Sequence, residues 1–204
     1  MSDGPRRFYT ERVPEQFNRA LAEAENDDGA DGRVFRGLTA VDGTIEARVT
    51  GADGSPFYLN IRAGAMEVGE SAAHDPFVVL CHDLDAFEAI ERESGDSALG
   101  FLGGMAGLEQ EIRFTKLRVD NLKLVNGTVR FSLTGPGGFS LICHLGGGEP
   151  AAEPDCELAI DGGIYAKLRA REIDAQEAFM SGQVDIAGDM QMAMQLALAV
   201  MSPD

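Results

Sequence analysis

The stretch Ile173-Asp174-Ala175-Gln176-Glu177-Ala178-Phe179-Met180-Ser181-Gly182-Gln183-Val184-Asp185-Ile186-Ala187-Gly188-Asp189-Met190-Gln191-Met192-Ala193-Met194-Gln195-Leu196 carries helix, strand and helix signals in immediate succession. Gly182 stops a short helix. Val184 and Ile186 fall on one face of a short strand, Gly188 makes the turn, and Asp189 is the N-cap of a second helix. In that last helix Met190, Met194, Ala197, Leu198 and Met201 recur at i, i+4, i+7, i+8 and i+11, while Met192, Leu196 and Val200 occupy much of the remaining circumference. A helix apolar over so much of its surface cannot face water broadly.

Upstream, the chain echoes itself. Val41-Asp42-Gly43-Thr44-Ile45 returns as Val125-Asn126-Gly127-Thr128-Val129, and Val49-Thr50-Gly51 returns as Leu133-Thr134-Gly135. Each copy continues through a Gly-rich turn into a second strand, Phe57 to Arg62 or Phe139 to His144, so each reads as a hairpin. Later each has an apolar strand, Phe77 to His82 or Cys156 to Ile160, that meets an aspartate (Asp83, Asp161) and enters a helical stretch. The expectation is a single domain over residues 1–204 with a partial internal duplication, pseudo-repeats falling at about 35–111 and 112–204. Ahead of both, Phe8, Val13, Phe17, Leu21 and Ala24 have helical spacing, which predicts an opening helix over about 8–26. Ala65 to Glu70 adds a short strand, Leu84, Phe87 and Ile90 a helix, and Gly95 to Gln110 a short helix or flap.

The closing segment resembles the signature of the sterol carrier protein type 2 family: a helix, Phe-x-x-Gly, a short strand, Gly-Asp/Asn-Met and an apolar final helix. Phe179, Gly182, Ile186, Gly188, Asp189, Met190 and Leu196 match in order and spacing. Gly127 to Gly146 is similar to that family's first two strands, Pro154 to Ile160 to its fourth, and Tyr9 to Glu25 to its first helix. The resemblance implies an α+β fold, with a mixed, mainly antiparallel twisted sheet covered by helices around an apolar cavity for sterols, fatty acids, acyl-CoAs or other lipids. Two features depart from the pattern. Asp185 stands where relatives commonly carry Lys, and the half-copy before Ile112 is additional.

Composition narrows the function classes. Hydrophobic residues are 44% and charged residues 25% of 204, the balance of a folding chain. A formal charge of −17 repels phosphate backbones, which argues against nucleic acid. Arg113, Lys116, Arg118 and Lys123 form the only dense basic stretch, and their alternation with Ile112, Phe114, Leu117, Val119, Leu122 and Leu124 reads as a solvated strand face. Cys81, Cys143 and Cys156 are an odd, scattered set that suits reduced core thiols. The first residues lack the apolar core of a signal peptide, so a cytoplasmic protein with at most transient membrane contact is expected.

Catalytic patterns are sparse. Cys81-His82 and Cys143-His144 pair metal-ligand types, but neighbours on a strand point to opposite faces, so only cross-strand pairing such as His82 with His144 could build a site. Asp83 and Asp85 read as helix-start residues. The Gly-rich runs Gly135-Pro136-Gly137-Gly138 and Gly146-Gly147-Gly148 lack the Lys and Ser/Thr of a phosphate loop. The sequence therefore points to a binding protein without catalytic residues, metal or cofactor, which holds and transfers a hydrophobic small molecule. Phe179, Met180, Met190, Met194, Leu198 and Met201 are the expected cavity wall, with Phe101, Leu102 and Met105 as a lid. Unbranched Met side chains suit such a wall because they adapt to several ligand shapes. The competing reading is a protein–protein or dimerisation module that uses the apolar last helix.

Overall fold

The computed structural model describes residues 4–29, 32–51, 55–94, 112–170, 172–173, 178 and 181–202. The chain opens with α1 (Gly4–Arg7), a π-helical turn (Phe8–Arg12) and α2 (Val13–Asp28), then α3 (Arg33–Thr39). Strands β1 (Gly43–Thr50), β2 (Phe57–Arg62), β3 (Ala65–Gly69) and β4 (Pro76–Asp83) lead into α4 (Leu84–Ser94). After α5 (Lys116–Leu124) come β5 (Gly127–Thr134), β6 (Phe139–Leu145), β7 (Cys156–Asp161), α6 (Gly162–Arg169), β8 (Val184–Gly188) and α7 (Met190–Val200). The expected Gly95–Gln110 flap and most of the short helix before Gly182 lie outside the described residues.

All eight strands join one sheet in the order β3-β2-β1-β4-β6-β5-β7-β8. Only the β1–β4 and β5–β7 pairs are parallel, so the sheet is mixed and mainly antiparallel, as the sequence predicts. Register puts apolar side chains on one face across the sheet. One row runs Leu59, Ile45, Val78, Leu145, and another Cys143, Val129, Cys156. The opposite face takes Asn60, Thr44, Glu46, Arg48, His144, Arg130 and Glu157. The N-terminal π-helical turn, α4 and α7 reach the sheet on the apolar side, where strand parity gathers the large apolar residues.

The strand arrangement occurs twice. β2-β1-β4 and β6-β5-β7 each combine an antiparallel hairpin with a parallel third strand. Asp83 and Asp161 then accept backbone N–H bonds from Ala86 (2.7 Å) and Gly163 (2.8 Å), the capping role expected of such residues. Each unit also has a fully buried threonine on its first strand. Thr44 bonds Asn60 Oδ1 at 2.7 Å and accepts from the His74 backbone N–H at 3.1 Å. Thr128 bonds His144 Nδ1 at 2.9 Å and accepts from Ala151 N–H at 2.9 Å. One hydroxyl thus ties a partner strand and a returning loop in both places.

The basic stretch corrects the sequence reading: Lys116 to Leu124 is a helix, not a strand face. Thr115 caps it, Lys116 pairs with Asp120 one turn on, and Val119 and Leu122 are buried on one side. Alternation was misleading because two of the apolar residues, Leu117 and Leu124, face outward. Arg118, at 4% exposure, is the opposite of a solvated cation.

Aromatic rings fill the space above β1–β4. Phe8 meets Tyr9 and Phe87 edge-on at 5.1 and 5.4 Å, and Tyr9 stacks on Phe57 at 5.3 Å. Inside this cluster His82 Nδ1 lies 2.9 Å from the Asp83 carbonyl, which can only accept, so Nε2 is the acceptor for the Tyr9 hydroxyl at 2.6 Å. Burial pushes the Tyr9 phenol up and the His82 imidazole down, so both stay neutral.

These buried polar groups have two measurable consequences. Thr128→Val, which leaves His144 Nδ1 and the Ala151 N–H without the threonine hydroxyl, destabilises by about 2 kcal/mol in urea unfolding, and Thr128→Ser by clearly less. The lowered His82 pKa means that the unfolded chain binds the extra proton. Stability is therefore full well above pH 6.5 and declines as pH falls through 6.5, the unfolded value. Comparing unfolding midpoints at about pH 7.5 and 5.5, above the ordinary carboxylate range, should show that slope, and His82→Gln should flatten it.

Candidate functional site

Over β1–β4 the apolar face is largely closed, with Ile45, Ala47, Val49, Leu59 and Ile61 buried and only Phe57 and Leu80 half buried. Over β5, β7 and β8 the same face is graded. Val129 and Cys156 are fully buried, and Met192 of α7 reaches the adjoining Gly127, where a Cβ would lie 3.0 Å from its methyl carbon. One step along each strand, Phe131, Leu158 and Ile186 form a row only half buried. The next row, Leu133, Ile160 and Val184, is half buried as well. Two apolar rows on three strands thus make a floor that the protein does not fully cover.

Beyond the second row lies an open cleft of about 870 Å³. Its wall includes Leu133 from the floor, Tyr165 and Ala166 of α6, Thr134, Asp161, and Arg92 of α4. Arg92 donates to the Gly137 carbonyl at 3.2 Å, which fixes the β5–β6 turn at the rim. Its lining mixes apolar and polar groups in similar shares.

Helix α7 borders the floor on the other side, and its rotation is fixed at both ends. Asp189 Oδ1 accepts from Met192 N–H at 3.0 Å, the cap expected from sequence. At the far end the Arg118 guanidinium donates to the carbonyls of Val200 (2.9 Å), Ser202 (2.5 Å) and Arg113. Asn121 adds a bond to the Ser202 hydroxyl at 2.7 Å. A buried cation that takes up the last carbonyls satisfies groups a helix end otherwise leaves open.

This rotation turns Met192, Ala193, Leu196 and Ala199 inward. Four of the expected wall residues face out: Met190 (48% exposed), Met194 (52%), Leu198 (66%) and Met201 (49%). Phe179, Met180, Phe101, Leu102 and Met105 lie outside the described residues. Phe131, Leu133, Leu158 and Ile160 were read as strand residues without a site role, and their alternation was the available signal. Asp185 sits on the polar face, opposite Ala159 and one residue from Ile186, so it does not front the floor.

The cysteine–histidine pairs do not converge. His144 stands opposite Val79, and its Nε2 donates to the Gly147 carbonyl at 2.9 Å, while His82 is taken by Tyr9. Among the described residues no three His, Cys, Asp or Glu gather as metal ligands. All three cysteines are free, and burial raises their thiols, Cys143 up to about 12, so none is a ready thiolate. Among the described residues no helix is long and apolar enough to cross a membrane.

Comparison with known proteins finds residues 109–200 matched by the model of the SCP-2 sterol transfer family. Sterol carrier protein 2 like 2 from Aedes aegypti is 20% identical, over 36% of this chain and 72% of that one, with a TM-score of 0.30. For sterol carrier protein 2 from Yarrowia lipolytica the values are 21%, 39%, 76% and 0.30. Hydroxysteroid dehydrogenase-like protein 2 of Xenopus laevis is 38% identical over 52 residues, a stretch that spans 26% of this chain and 12% of that protein.

Arg118→Met should loosen the end of α7. The expected result is a loss of about 2–3 kcal/mol and faster amide exchange from Ala197 to Ser202, with β1–β4 amides unchanged relative to global stability.

Proposed function

We propose that this chain, whose residues 109–200 match the model of the SCP-2 sterol transfer family, reversibly binds and transfers a hydrophobic small molecule such as a sterol, fatty acid or acyl-CoA. The ligand rests on the floor made by Phe131, Leu158, Ile186, Leu133 and Ile160. The observation that carries this reading is the contrast between the two halves of one apolar face, largely closed over β1–β4 and half buried in two whole rows over β5, β7 and β8.

Binding is driven by apolar burial. Removing roughly 300 Å² of ligand surface from water gives about 7 kcal/mol before ordering costs are subtracted. The reading needs no catalytic group, since the ligand leaves as it entered. We further read the chain as one domain formed by partial duplication, in which the first half kept the sheet and exchanged its binding face for a packed core. The hydroxyl ties of Thr44 and Thr128 support that view.

The chain has no tryptophan, so Leu158→Trp supplies a single reporter on the floor. Its emission should shift to the blue on adding a fatty acid and be quenched by a brominated one, whereas Ser132→Trp, on the polar face, should respond to neither. Native mass spectra of the protein purified from cells should carry a lipid adduct. A clean unliganded spectrum, together with an indifferent Leu158→Trp reporter, would sink the proposal.

A further inference from the structure

We propose that β8 pairs antiparallel with β8 of a second copy, so that two sheets become one across a two-fold axis. The eight-stranded sheet has two outer edges, β3 and β8, and they differ. On β3 the outward groups of Met66 are taken. Its N–H donates to Asn18 Oδ1 at 2.8 Å, and its carbonyl accepts from Asn18 Nδ2 at 3.0 Å. The Asn18 amide of α2 stands where a further strand would, which blocks pairing on that side.

Edge β8 has no such guard. It contains no lysine, proline or bulge. The Asp189 N–H donates to the Asp155 carbonyl at 2.8 Å, one step beyond the Cys156–Gly188 pair, so the β8 residues bonded to β7 are Asp185 and Ala187. Val184, Ile186 and Gly188 consequently turn their N–H and C=O groups to the open side. Among the described residues no group bonds to them there.

The strand's own sequence selects a second copy as the occupant. Antiparallel pairing of Val184-Asp185-Ile186-Ala187-Gly188 with itself can centre on Asp185, Ile186 or Ala187 if the outward groups are to bond. A centre at Asp185 sets two carboxylates face to face, and one at Ala187 sets Asp185 against Asp189 of the second copy. Centred on Ile186, all three outward residues pair, Ile186 with itself and Val184 with Gly188, for about six backbone bonds. Asp185 then faces Ala187 and Gln183 faces Asp189, so no carboxylate directly opposes another. On the apolar face the half-buried row Phe131, Leu158, Ile186 runs on into the same row of the second copy. A five-residue strand alone is short of the about 1,200 Å² that a stable interface buries. Helix α7, which packs on β7 and β8 and contains no charged residue, brings further uncharged surface to this edge, including Met194 and Leu198. The two-fold contact is isologous and closes at two chains. It rests on the open edge and not on ligand binding.

Sedimentation equilibrium of the full chain tests the pairing. A two-chain species should form in the micromolar range and strengthen with salt, because each chain carries a formal charge of −17. Ile186→Pro removes an N–H that points away from β7, so circular dichroism should be unchanged, while the dimer loses both central bonds and weakens at least about tenfold. Ala187→Glu, on the polar face, sets a carboxylate against Asp185 of the second copy and should weaken the dimer several-fold; adding Asp185→Lys should restore it, which fixes the register. Amide exchange at Ile186 and Gly188 should slow as protein concentration rises, with Met66 unchanged. A monomer at every concentration up to about 0.1 mM overturns the proposal, whether or not an added extended peptide occupies the edge. A dimer indifferent to Ile186→Pro or to Ala187→Glu overturns it too, since the contact would then lie elsewhere. The Leu158→Trp reporter, read on the Ile186→Pro background, follows fatty-acid binding without the dimer, so failure of one function is distinguishable from failure of the other.

Discussion

Strand parity is the constraint on which the rest of this molecule depends. Eight strands with apolar residues at alternate positions bring those residues to one face, and a face of that size must be covered or it drives association. The N-terminal π-helical turn, α4 and α7 all meet the sheet on that side. The N-terminal aromatic cluster closes the first half of the face, and α7 closes only the row nearest the strand starts in the second.

Buried polar groups fix where the covering elements sit. Thr44 and Thr128 tie loops to strands from the polar side of the sheet, and His82 and Tyr9 hold the π-helical turn to β4 from the other side. Each is satisfied, so it specifies position at little net cost, whereas an unpaired member would cost more than the bond contributes. Arg118 has the widest reach. Its fork accepts a geometry that one ammonium could not, and it sets which side of α7 faces the core.

That rotation separates two apolar surfaces that are adjacent in sequence. Met192 and Leu196 turn inward over the strands, while Met194 and Leu198, two residues further along in each case, turn outward. The terminal helix is therefore both a cover and an exposed face. Both are possible because a helix with apolar residues on most of its circumference has more than one side to bury.

The sequence by itself determined the elements and their order. The strands around Val41–Arg62 and Gly127–His144, the caps at Asp83, Asp161 and Asp189, and the Gly188 turn were legible because turn chemistry and period-two or period-3.6 patterns are local. It also determined the family resemblance of the last third. Only the tertiary structure decided that Lys116–Leu124 is a helix, that Arg118 is buried, and that Met190, Met194, Leu198 and Met201 face out. Local periodicity identifies an apolar face but carries no information on which of two such faces meets the core. Here that choice belongs to bonds between Arg118 and carbonyls more than eighty residues away along the chain.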